Sequence, residues 1–167
     1  MKWRIFCSAI LAVCVVSLNA GLASANTTKI TWTYDDYRFH TDACGFRVVF
    51  HQFGPYKAAD QYDADGTLYR TIITSGGGRY EVTATANGVQ LRTRSSYQII
   101  VTYNEDGSVA TSREDGLHFG FTVPGEGVVL LETGRIDFDA DTGKIRFETG
   151  LHMFREGDFD AFCQAFV

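Results

Sequence analysis

From residue 29 onward the chain repeats one pattern: short runs in which apolar and polar residues alternate, separated by turn signals. Ile30, Trp32 and Tyr34 alternate with Lys29, Thr31 and Thr33. Tyr80, Val82, Ala84 and Ala86 alternate with Glu81, Thr83 and Thr85. Successive side chains on a strand point to opposite faces, so a period of two reads as β-strands with one apolar face. Further runs fall at 46–53, 67–74, 89–94, 97–103, 109–113, 117–123, 128–132, 134–139, 144–148 and 151–154. Asn87-Gly88 is the strongest hairpin signal, because both residues accept the positive φ of a type I′ turn. Asn104-Glu105-Asp106-Gly107 and Ala140-Asp141-Thr142-Gly143 mark two more hairpins, and Pro124-Gly125 closes the 117–123 run.

The 67–74 and 80–86 runs read as a strand pair joined by a flexible Gly76-Gly77-Gly78 loop, and 128–132, the most apolar run, reads as central. Only 158–166 has helical spacing, with Phe159, Phe162, Cys163 and Phe166 on one face. The expected fold is therefore all-β: an antiparallel meander closing into a small barrel, with a short C-terminal helix. A two-sheet sandwich is the alternative, but it needs longer crossing connections than consecutive hairpins provide. An outer-membrane barrel would turn Lys29, Arg92, Arg94, Arg135, Lys144 and Arg146 toward lipid, at about 2 to 4 kcal/mol each near the midplane.

The first 25 residues are of another kind. Lys2 and Arg4 precede an apolar stretch from Ile5 to Leu18, and Gly21-Leu22-Ala23-Ser24-Ala25 offers a small-residue cleavage site. This order is that of a secretory signal peptide cut after Ala25, leaving 26–167 as one β domain, secreted or extracytoplasmic, with no membrane span. The apolar stretch is short for an uncut anchor across about 30 Å of hydrocarbon. A lipoprotein reading would need Cys7 or Cys14 as the lipidated residue, and Cys14 lies among bulky valines. Asn26-Thr27-Thr28 is formally a glycosylation sequon at the new terminus.

Cleavage leaves Cys44 and Cys163, an even pair in an oxidising compartment, and these are expected to bond. A bridge closing so long a loop is worth about 4 to 5 kcal/mol in the chain-entropy model. Cleavage also removes Lys2 and Arg4 from 15 basic residues set against 20 acidic ones, so the domain is more acidic than the −5 of the whole chain. The remaining Lys and Arg are scattered singly, which argues against a nucleic-acid partner.

Asp137, Asp139, Asp141 and Glu148 match positions 1, 3, 5 and 12 of an EF-hand-like calcium pattern. Thr142 stands where that loop needs glycine and strands flank it, so a tight hairpin with solvated acids is the competing reading and no cofactor is expected. Asp60, Asp63 and Asp65 before Gly66 lack a distal carboxylate and read as turn acids. His40, His51, His118 and His152 form no local metal signature, although strands distant in sequence can meet inside a barrel. By alternation His51 shares a face with Val49 and Phe53, and His118 lies opposite Phe119 and Phe121. With Tyr97 and Tyr103, these two histidines are the residues assigned to a cavity. No G-x-S-x-G elbow is present, and Gly76-Gly77-Gly78 precedes no helix that would hold phosphate.

Cys44-Gly45-Phe46, the Asp65-Gly66 turn, Pro124-Gly125-Glu126-Gly127 before an apolar strand, Gly134-Arg135 and the single late Cys163 together resemble small exported single-disulfide β-barrel proteins of Gram-positive bacteria. The resemblance spans most of 26–167 and supports the fold; it brings no activity and therefore no functional residue. Tyr34-Asp35-Asp36 is also similar to the opening of dirigent-type barrels, in a tripeptide too short to carry a function.

Three functional classes follow. A binding module for a small apolar ligand or a surface partner needs a cavity with few converging polar groups. A cavity enzyme of isomerase or cyclase type needs at least two titratable groups within hydrogen-bond reach. An envelope or surface structural protein needs a solid core and an exposed apolar patch. The binding module ranks first.

Overall fold

The computed structural model describes residues 26–75 and 79–167; the signal-peptide reading and the Gly76-Gly77-Gly78 loop lie outside them. The described chain forms β1 (Thr27–Thr41), β2 (Val48–Tyr62), β3 (Leu68–Ser75), β4 (Glu81–Ala86), β5 (Val89–Arg94), β6 (Ser96–Tyr103), β7 (Val109–Val123), β8 (Gly127–Asp139) and β9 (Ile145–His152), then the short helices α1 (Met153–Glu156) and α2 (Asp160–Gln164). Every pairing among these strands is antiparallel. The sheet order is β5-β4-β2-β3-β6-β7-β8-β9, with β1 on the other edge of β2.

The expected all-β class stands, but the ladder among the described residues is not closed into a barrel. β1 pairs with β2 and not with β9. Nor do β3 and β4 pair with each other. β4 takes the first half of one β2 edge and β3 the second half, with the change falling at Gly54. There φ is +142°, and a Cβ would sit 2.7 Å from the Arg79 carbonyl oxygen, so only glycine lets the incoming chain cross β2 this closely.

A second device of the same kind bends the far side of the sheet. Gly116 of β7, Gly134 of β8 and Gly150 of β9 are direct cross-strand partners and all have positive φ. A Cβ on Gly134 would lie 2.0 Å from the Thr149 carbonyl oxygen, and one on Gly150 would lie 2.2 Å from that of Thr133. This glycine row turns the ends of β7 and β8 back over β4 and β2. Val48, Phe50, Val82 and Ala84 then meet Phe119, Phe121, Val129 and Leu130 in one core. At that end two parts of one sheet face each other as sandwich layers do.

Phe162 of α2 and Phe166 just after it cap this core, and Cys44 is bonded to Cys163, with Cα atoms 5.2 Å apart. The 158–166 run shortens to the five residues of α2, with its apolar face where the spacing placed it, while α1 forms upstream and ends the expected 151–154 strand at His152. The Asn87-Gly88 hairpin forms with φ of +50° and +78°. The departure in burial is β1: Ile30, Trp32 and Tyr34 are 57%, 65% and 64% exposed, because nothing in the described chain covers that face. Among the described residues no helix is long and apolar enough to cross a membrane.

Candidate functional site

The bend built on the glycine row creates a site on its inner side. Between β7 and β8 the register shifts, pairing Leu117 with Thr133 and Phe119 with Glu132, so His118 is the extra residue of a β-bulge. A bulge re-aims the side chain that strict alternation would send elsewhere. This overturns the expectation that His118 and Phe119 face opposite ways: both line the same pocket of about 170 Å³, with Glu114, Glu132, Ile136, Phe138, Phe154 and Arg155.

His118 stacks on Tyr97, with ring centres 4.5 Å apart and planes 16° from parallel. Its Nε2 lies 3.4 Å from Glu114 Oε2, one helical-like spacing back along the bent strand. Burial, followed by the charges of His152 and Arg155, pulls the His118 pKa down to about 4, so the ring is neutral near pH 7. Burial raises the Glu114 pKa against the opposing pull of Arg155. Burial also raises that of Tyr97.

Glu132 is 5% exposed and sits directly across from His152, which is 2% exposed. His152 Nδ1 is 2.7 Å from Glu132 Oε1, and its Nε2 faces the Thr149 carbonyl at 3.3 Å. The second oxygen, Glu132 Oε2, is buried and has no hydrogen-bond partner among the described residues. Leaving such an oxygen bare costs about 1 to 3 kcal/mol, more for a charged group, so the fold leaves an unsatisfied acceptor on a residue that lines the pocket. Glu148 joins the rim through Arg155, at 3.4 Å.

Of the residues assigned to a cavity, Tyr97 and His118 are brought together. Tyr103 instead donates to Thr71 Oγ1 at 3.3 Å, and His51 bonds Asp36 Oδ1 at 2.6 Å beside Phe53. The calcium-patterned residues do not converge. Arg135 donates twice to Asp137, at 2.8 and 2.6 Å. Asp139 accepts from Thr142, and Glu148 lies on the opposite sheet face from Asp137. Among the described residues no group of three or more His, Cys, Asp or Glu is arranged to hold a metal. Asp63 and Asp65 both accept from the Thr67 backbone N–H, as turn acids do.

Glu114, Glu132 and Arg155 were absent from the sequence-derived site. One signal existed: Glu132 is the lone charge in the most apolar run of the chain. Tyr80, buried at the back of the Tyr97 ring, donates to Asp35 of β1, whose carboxylate thereby meets the interior. No family model, curated protein or solved structure matches this chain.

Proposed function

We propose that this chain is an exported single-domain protein, cut after Ala25, that holds a small molecule in the pocket at Glu114, His118, Glu132 and Arg155. The buried, unpartnered Glu132 Oε2 carries this reading, because a ligand donor is the group that would satisfy it. The volume of about 170 Å³ suits a single ring: an apolar cavity of about 150 Å³ holds benzene. Phe119, Phe138, Phe154 and Ile136 supply apolar walls, so the fitting ligand is a six-membered ring bearing one N–H or O–H.

Titration with phenol and with benzene, followed by NMR of the His118 and Tyr97 rings, tests this. Phenol should shift both rings and bind at least about tenfold more tightly than benzene, since a hydrogen bond to a charged acceptor is worth about 1.5 to 3 kcal/mol. Glu132→Gln should narrow that preference. Two probes that leave His118 and Tyr97 unmoved would rule the reading out. The mass of the protein recovered from culture medium tests export separately: it should begin at Asn26.

A second reading, a cavity isomerase, is favoured by the 3.4 Å approach of Glu114 to a neutral His118. In such a reaction His118 Nε2 takes a proton from the carbon beside a ring carbonyl. The C–H electrons pass into a dienolate whose oxygen accepts from Arg155. The same proton then returns to the far carbon, so the double bond moves without any co-reactant. Conjugation of a β,γ-unsaturated six-membered cyclic ketone, absent in His118→Gln, would support catalysis; binding without turnover would leave the binding module alone.

A further inference from the structure

Alternation places a different set of side chains on the other face of the same strands. Arg70 of β3, Arg113 of β7, Arg135 of β8 and Arg146 of β9 line one groove of about 540 Å³. In sequence they are scattered singly; the register brings them together, since Ile100 pairs with Arg113 and Arg113 with Asp137, which faces Phe147. We propose that this groove binds a phosphate monoester carried on a small apolar body.

The charges set the class of ligand. Four guanidinium groups face two carboxylates, Asp137, held bidentately by Arg135, and Asp115, 2.7 Å from Arg113. Asp139, on the same face and within reach of Arg146, is a third carboxylate at the groove's end, so the arginines still outnumber the acids and leave a positive surplus that a phosphate monoester, at −1.5 to −2 near pH 7, more than neutralises. Arginine forks match phosphate oxygens in pairs, and Arg70 Nε is a buried donor with no partner among the described residues. The Thr102, Thr111 and Ser112 residues add hydroxyl groups. Ile100 and Phe147 give an apolar wall, with the Arg135 guanidinium lying 5.2 Å from the Phe147 ring centre. A volume of about 540 Å³ lies within the range of small-ligand sites and exceeds what a bare ion fills.

Isothermal titration of the purified full chain with phenyl phosphate, inorganic phosphate and benzoate tests the proposal. Phenyl phosphate should bind most tightly and weaken as salt is raised. Benzoate, with one charge, and inorganic phosphate, with no ring, should each bind several-fold more weakly. Arg70→Gln and Arg113→Gln should each weaken phenyl phosphate about tenfold. Asp137→Asn keeps the shape, removes the internal competitor for Arg135 and should strengthen binding; this variant keeps the test decisive if an arginine variant fails to fold. No heat with phenyl phosphate overturns the proposal. So does binding that is indifferent to all three substitutions, and equal affinity for inorganic and phenyl phosphate overturns the apolar body.

Discussion

The neutral His118 makes a prediction about stability. In an unfolded chain an imidazole titrates near 6.5, whereas burial in the pocket lowers the His118 value to about 4. Between these values the unfolded state carries the proton and the folded state does not. Stability contributed by the neutral ring is therefore complete above about pH 6.5 and is lost as pH falls toward 4. At 1.36 kcal/mol for each pH unit, the loss amounts to about 3 kcal/mol, a large share of the 5 to 15 kcal/mol typical of a domain. Glu114 acts with the opposite sign: its raised folded value means that protonation on acidification favours the folded state. Urea unfolding of the native chain and of His118→Gln, measured at intervals from pH 7.5 to 4, separates the two contributions. The Glu114 contribution is common to both chains and drops out of the difference. The native chain should lose about 3 kcal/mol more than the variant across that window. A difference constant to within about 0.5 kcal/mol would refute the reasoning, because it would mean the ring charges freely where it sits.

Gly134→Ala places a Cβ 2.0 Å from the Thr149 carbonyl oxygen at a φ of +136°, and should cost about 2 to 6 kcal/mol in strain and overpacking. Gly143→Ala, with nothing within 4 Å, should cost only about 1 kcal/mol in the same denaturation assay. Replacing Cys44 and Cys163 together with serine, across a sequence separation of 119, should lower stability by about 4 kcal/mol in the same assay. Trp32 fluorescence, isolated by subtracting Trp32→Phe, should be that of solvated indole and fully open to acrylamide; a shielded indole would mean that β1 has acquired a cover. Phe162→Ala should cost about 3 to 5 kcal/mol on thermal unfolding, because α2 buries that ring completely.

What could be read from the sequence was local. Asn87-Gly88 specifies its turn by backbone preference alone, and the Phe159, Phe162 and Phe166 spacing places one apolar face on the core even though the helix there is only five residues long. Which strands pair is not local. The 67–74 and 80–86 runs adjoin in sequence, yet each lies against β2 because Gly54 lets two strands share one edge. Alternation also assumes an unbroken ladder. The extra residue between Leu117 and Phe119 violates that assumption and moves His118 to the side that matters. Ile30, Trp32 and Tyr34 alternate as an inward face would, but alternation reports which residues share a side and not whether anything packs on it.

The two candidate sites depend on one another through β7 and β8. Arg113, Asp137 and Arg135 point to the groove, while their neighbours Glu114 and Ile136 point to the pocket and Phe138 borders both. A one-residue slip between these strands would exchange the two sets, placing arginines among the phenylalanines and carboxylates in the cationic groove. The glycine row resists such a slip, because Gly116, Gly134 and Gly150 are the residues that tolerate the closest approach of three backbones, and they must stay opposite one another. The same three glycines thus bend the sheet, fix its register and keep two chemically opposed surfaces back to back, which is why a single added methyl at Gly134 should disturb ligand binding on both faces at once.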